Sequence, residues 1–406
     1  MKHLLTIVFL LSLCLTAQAQ KKKALFIIVD GIPADVIEKL QPPTLMAIAK
    51  TGGFTKAYTG GIKDSYNQTP TISAPGYNNI ITGVWGNKHN VWDNDINDPN
   101  YNYWNIFRIA KKASPSITTA VFSTWTDNRT KLVGEGLQET DFFKLDYSFD
   151  GLELDTVTYP HDKGANYIRR IDEAVSEQAA SYVQQQGPDL SWVYLEYTDD
   201  MGHQFGDSEQ FHNAILGADQ QIGKIWDAIK LREQTLNEDW LIVITTDHGR
   251  NPETGKGHGN QSDRERTTWI VTNSKNLNDH FKGNVAAVDI LPSICNHLGI
   301  RIPDAQRDEL DGVPFIGPLE FSDLHATKEG NKIVVSWKSY VKDNRKLEIY
   351  ITATNKFKKS DEDQYLKVAE VPVKDLKFPV AFTSQSAFFK VVIKTPNQAL
   401  NTWIGK

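Results

Sequence analysis

Four short clusters in the chain carry residue types that bind metal ions. They are Asp30-Gly31, Asp199-Asp200-Met201-Gly202-His203, Asp247-His248-Gly249 and Gly257-His258-Gly259. Three of them stand at the ends of apolar runs, and the fourth follows ten residues after the third. One aspartate or histidine at a strand end is ordinary. Three histidines and several aspartates from separate segments make a metal site if the strands are neighbours. Mixed imidazole and carboxylate ligands suit zinc first, and also manganese or iron. None of the clusters contains cysteine, which argues against a closed structural zinc site. Six ligands and a nucleophile are enough for two ions about 4 Å apart, able to clamp the attacking and leaving oxygens of an in-line displacement. Ser73 is the nucleophile candidate. It lies in Thr69-Pro-Thr-Ile-Ser73-Ala-Pro75, just before a segment that reads as a helix ending at Gly83. A helix N-terminus favours anions, and a metal there would favour the alkoxide. Spacing alone favours reading Ser73 as only an N-cap.

The elements that must position these residues alternate. Ala24–Asp30, Thr119–Ser123, Trp192–Tyr197 and Trp240–Thr246 are continuous apolar runs, as expected of strands buried on both faces. Between them, apolar residues at 168, 171, 175, 179, 182 and 183 mark one helical face, closed by Gly187-Pro188. Asn213–Ile229 has similar spacing. The alternation predicts an α/β fold, a three-layer α/β/α sandwich with a mostly parallel sheet. Open α/β sheets bind ligands at the carboxyl ends of their strands, where the clusters fall.

From Glu320 onward short alternating runs replace this pattern, among them Ile333–Trp337, Leu347–Ile351 and Phe388–Ile393. They predict a small C-terminal β-sandwich over residues 320–406, resembling a fibronectin type III module. The charge changes there too. Residues 320–406 hold 15 Lys and Arg against 10 Asp and Glu, while residues 20–319 carry a net charge of −12. The tail could meet an acidic surface, although lysines on edge strands commonly serve only to suppress aggregation.

The chain has 406 residues, a net charge of −6 and two cysteines. That excludes a disulfide scaffold, and the mild acidity argues against a nucleic-acid polymer as partner. Residues 1–19 have a basic start, a twelve-residue apolar stretch and Ala17-Gln18-Ala19, the pattern of a cleaved signal peptide. The expectation is an exported protein, periplasmic or secreted, with no membrane span and Cys295 as its one remaining cysteine.

Taken together, the motifs resemble the alkaline phosphatase superfamily, and within it the type I phosphodiesterase or nucleotide pyrophosphatase/phosphodiesterase branch. The resemblance spans residues 22–318 and includes Val288-Asp-Ile-Leu-Pro292 and Leu310-Asp-Gly-Val-Pro314 as a closing segment. It implies that Asp30, Ser73, Asp247 and His248 hold one metal, and Asp199, His203 and His258 the other. It further implies that Ser73 is the nucleophile and forms a covalent phospho-serine, and that Asn94 donates to a phosphoryl oxygen. The cofactors implied are two divalent ions, zinc first, and the partner a small phosphate ester. Trp125 is a candidate for stacking on a flat leaving group, or else a core aromatic. The C-terminal module is a candidate for glycan or surface contact. Two features depart from the branch. Gly76 stands where asparagine is usual, and the segment from His248 to Gly257 is short. Rivals on the same scaffold are a phosphomonoesterase, with Arg129 and Lys131 as added cations, and a sulfatase, whose signature arginine is here Tyr77. A non-catalytic binding protein is a third.

Overall fold

The computed structural model describes residues 20–381 and 386–405; the signal-peptide reading of residues 1–19 lies outside them. Eight strands form one sheet: β1 (Lys21–Val29), β2 (Gly53–Tyr58), β3 (Thr119–Ser123), β4 (Tyr147–Phe149), β5 (Leu190–Leu195), β6 (Glu238–Thr245), β7 (Thr267–Thr272) and β8 (Val285–Ala286). Their order is β4-β3-β5-β1-β6-β7-β2-β8. The five strands from β4 to β6 run parallel. β7 is antiparallel to both its neighbours, and β2 pairs parallel with β8.

β1 shows why the fold is three-layered. Its side chains alternate between two apolar cores. Ala24, Phe26 and Ile28 pack with the Ser73–Thr82, Ile106–Ala113 and Ile290–Leu298 helices. Leu25, Ile27 and Val29 pack with the Asn166–Gln186 and Glu209–Thr235 helices on the other face. A strand buried on both faces has no polar alternation to show, so its sequence reads as one apolar run.

The closing segment is tied directly to the Ser73 helix. The backbone N–H groups of Asp311 and Gly312 donate to the Gly83 carbonyl at 3.0 and 3.2 Å. Asp289 accepts from the backbone of Ala286 and of Val313, both at 2.7 Å, and from His280 Nε2 at 2.8 Å.

Beyond it, seven strands form two antiparallel sheets around one apolar core: β9 (Phe321–Glu329), β10 (Lys332–Ser339), β11 (Lys346–Thr352), β12 (Leu366–Pro372), β13 (Lys377–Ala381), β14 (Phe389–Lys394) and β15 (Ala399–Ile404). The sheets are ordered β13-β10-β9 and β12-β11-β14-β15. Trp337 is buried there and donates to the Val373 carbonyl at 2.6 Å. The charge contrast has a structural expression. Lys390 is buried against Glu309 at 2.5 Å and Asp363 at 2.8 Å, and Lys394 pairs with Asp308 at 2.6 Å. Two of the tail's lysines therefore meet acidic residues preceding it, beyond any role in guarding strand edges. No helix among the described residues is long and apolar enough to cross a membrane.

Candidate functional site

β1, β5 and β6 end side by side, and their carboxyl ends deliver Asp30, the Tyr197–Phe205 helix with Asp199 and His203, and Asp247-His248. The Ser73 helix comes from the chain after β2. Ser73 is its first residue, Ile72 its N-cap, and no side chain caps the end. Ser73 Oγ instead faces His248 Nε2 at 3.4 Å, so the N-cap alternative does not hold. Gly76 also has a physical reason here. A Cβ at that position would lie 2.8 Å from Asp247 Cβ, so a side chain there would force the helix and the Asp247 segment to shift apart.

Around His248 Nε2 lie three oxygens: Asp247 Oδ2 at 3.2 Å, Asp30 Oδ1 at 3.4 Å and Ser73 Oγ. Asp30 Oδ1 and Asp247 Oδ2 are buried and make no hydrogen bond. Their other oxygens are committed. Asp30 Oδ2 accepts from the hydroxyls of Tyr194, at 2.7 Å, and Tyr77, and Asp247 Oδ1 accepts from the Gly31 backbone at 3.2 Å. Two buried carboxylate oxygens on either side of one imidazole nitrogen, neither with a donor, are a donor set suited to a cation. The second group is His203 Nε2, 3.1 Å from His258 Nε2 and 3.2 Å from Asp199 Oδ2. These side chains form two sets with metal-ligand spacing, Asp30-Asp199-His248 and Asp199-His203-His258.

The backbone sets the imidazole tautomers. His248 Nδ1 lies 2.9 Å from the Gly249 carbonyl, and His258 Nδ1 lies 2.9 Å from that of Thr71. A carbonyl only accepts, so each Nδ1 carries the hydrogen and each Nε2 lone pair faces the site. Electrostatics agree. Burial and the neighbouring carboxylates push Asp247 far up and Asp30 to about 7. Burial and His258 push His248 down, which keeps it neutral. Asp199 is held low despite its burial, chiefly by Arg250, and Asp200 beside it is pushed to about 6 by burial and by Asp199. Carboxylates this crowded cannot all ionise without a cation among them. The donor set therefore fits divalent metal.

Asn94 is exposed, with its Oδ1 accepting from the Ala74 backbone at 3.0 Å. That anchors the amide at the mouth of the Ser73 helix and leaves its NH₂ to donate. Trp125 is half-buried, edge-on to Tyr77 at 6.3 Å, one ring removed from Asp30. Three participants carried no recognisable sequence pattern: Tyr77, Tyr194 and Arg250, the last fully buried and bonded to Asp199. The glycines of Asp30-Gly31 and Gly202-His203 were the available signal, since a Cβ on either would strike the Arg250 guanidinium.

Arg129 and Lys131 are already engaged. Arg129 binds Asp150 at 2.6 Å and Glu135 at 2.8 Å, and Lys131 pairs with Asp127 at 2.8 Å.

Residues 24–313 match the family model for type I phosphodiesterase / nucleotide pyrophosphatase. Human ectonucleotide pyrophosphatase/phosphodiesterase family member 5 is 24% identical over 250 residues, covering 59% of this chain and 47% of its own length. The venom phosphodiesterase CdcPDE of Crotalus durissus collilineatus is 24% identical over 190 residues, covering 44% of this chain and 21% of its own. The chain thus spans about half or less of the curated relatives it matches. Among solved structures, a putative sulfatase from Bacteroides thetaiotaomicron superposes with a TM-score of 0.50 at 11% identity, over 86% of each chain. At that identity the likeness concerns the fold.

Proposed function

The chain belongs to the type I phosphodiesterase / nucleotide pyrophosphatase family, and we propose that it is an exported two-metal hydrolase of phosphoric diesters acting through a covalent phospho-serine. The observation that carries this reading is Ser73 Oγ, in the first turn of a helix, facing the same His248 Nε2 beside which two buried carboxylate oxygens, Asp30 Oδ1 and Asp247 Oδ2, make no hydrogen bond. Asp30, Asp247, His248 and Ser73 would hold one divalent ion and Asp199, His203 and His258 the other, zinc being the first choice for these ligands. Such ions supply Lewis acidity for the attacking and leaving oxygens.

The chain's own residues do the rest. Ser73 Oγ attacks phosphorus, the ester P–O bond breaks, and the alcohol departs with a proton. Water then cleaves the Ser73 Oγ–P bond and returns the hydroxyl. Asn94 donates to a non-bridging oxygen as its charge grows, held in place by its bond to Ala74. Trp125 offers a face to a flat leaving group beside Tyr77.

A preference for diesters is supported by the pairing of Arg129 and Lys131. A monoester brings an additional negative charge, and both candidate cations are neutralised by carboxylates. In the same reading, residues 1–19 are the signal, 20–319 the catalytic domain and 320–406 a β-module. The test compares turnover of bis-p-nitrophenyl phosphate and p-nitrophenyl phosphate alongside metal analysis. Faster diester turnover by a zinc-loaded protein is expected. Faster monoester turnover would return the phosphatase reading, and a single calcium with no transition metal the sulfatase one.

A further inference from the structure

Arg250 has no part in the chemistry above, yet it is fully buried beside it. Its Nε donates to the Gly31 carbonyl and one terminal nitrogen to the Lys256 carbonyl, both at 2.9 Å. The other terminal nitrogen donates to the Asp199 carbonyl at 2.8 Å and to Asp199 Oδ1. One guanidinium thus ties the ends of three ligand-bearing segments, beside Asp30, at Asp199 and before His258. Asp199 is left divided, with Oδ1 on a fixed cation and Oδ2 toward His203.

The other ligand set is built differently. Asp30 takes hydroxyl donors from Tyr77 and Tyr194, and Asp247 takes a backbone N–H. Neutral donors orient a carboxylate and leave its charge intact. Asp30 and Asp247 therefore give the inner set two carboxylates with no fixed cation beside one imidazole, while Asp199, which reaches both sets, is the one carboxylate of the outer set. The outer set offers two imidazoles and one carboxylate whose charge Arg250 offsets. Exposure follows the same order, since the His203 side chain is 48% exposed and those of Asp247 and His248 are 0% exposed.

We propose that Arg250 makes the outer site the weaker of the two, so that metal loads the inner site first and the outer ion exchanges. This rests on the two-metal reading. Arg250 is a positioning residue that orients Asp199 and attenuates it at once.

The test is a zinc titration of the chelator-treated full chain against a chromophoric competitor, with metal content measured after dialysis. Two separated steps are expected, and His203→Ala should lose the weaker one only. A neighbouring arginine lowers a carboxylate's affinity for a proton by about 1–3 pKa units, so Arg250→Met should tighten the weaker step on the order of 10–100-fold. Arg250→Lys keeps the charge and should keep the order of loading. Two equal steps in the unaltered protein, or a folded Arg250→Met protein whose weaker step is unmoved or weakened, would overturn the proposal. Should Arg250→Met fail to fold, His203→Ala decides, because loss of the tighter step there overturns it as well. A protein that binds no zinc would overturn the two-metal reading along with it, and that outcome alone reaches so far.

Discussion

Ser73 and Asn94 make different demands on the same phosphoryl group, and their variants should separate. The polar partner of Ser73 Oγ among the described residues is His248, at the long distance of 3.4 Å, so removing the hydroxyl costs little structure. Ser73→Ala is expected to lower turnover at least about 10,000-fold with an unchanged melting temperature. Asn94→Ala removes one aimed donor and should lower kcat about 100- to 1,000-fold with metal content unchanged. An unaltered rate would make Asn94 purely structural. At this scale the sequence was informative about groups whose chemistry is distinctive. Aspartates and histidines in glycine-flanked clusters are recognisable without a fold. Tyr77, Tyr194 and Arg250 are common residue types that acquire roles only through contacts 47 to 219 positions away in sequence.

At the scale of elements, the helix read from 168 to 183 extends over Asn166–Gln186, because a helix with one buried face carries its period in the sequence. The sheet's antiparallel strand β7 left no such mark. Thr267–Thr272 has a short apolar centre, Trp269–Val271, that reads the same in either direction, and direction is decided by the Asp263–Arg266 turn and by pairing with β2 and β6. The closing segment offers a pH test. Burial opposes charge on His280, but the Asp289 carboxylate outweighs it and raises the imidazole above its ordinary value. A raised folded value means that the pair's contribution is complete below about pH 6.5 and fades as pH rises through the folded value. His280→Asn should therefore cost about 1.5–3 kcal/mol at pH 6 and progressively less in alkaline buffer. A deficit that grew with pH in urea unfolding would refute this assignment.

For the whole molecule, the seam between the α/β part and the β-sandwich is built from buried charge. Lys88 donates to the Glu309 carbonyl at 2.6 Å, Asp311 at 2.7 Å and Asn401 at 2.9 Å, and its ammonium lies 5.1 Å from the Trp403 ring centre. Lys88 lies in the Gly86–His89 turn that follows the Ser73 helix, so the sandwich braces the element carrying the nucleophile. Lys390→Met would strand Asp363 without its cation and leave Glu309 only Lys88, 3.9 Å away, and should destabilise the chain by about 3–5 kcal/mol. Urea unfolding measures it, and a neutral result would mean that the seam contributes little. The net charges of the two parts hinted at attraction, but charge sums cannot say which lysine is buried.

In the proposed mechanism Ser73 Oγ becomes covalently bonded to phosphorus. The measurement closest to it is acid quenching of the zinc-loaded protein during turnover of bis-p-nitrophenyl phosphate, followed by peptide mass analysis. A nitrophenyl-phosphoryl adduct on Ser73 is expected, formed as one p-nitrophenol leaves and missing from Ser73→Ala. Undiminished turnover by Ser73→Ala, or an adduct on another residue, would contradict it.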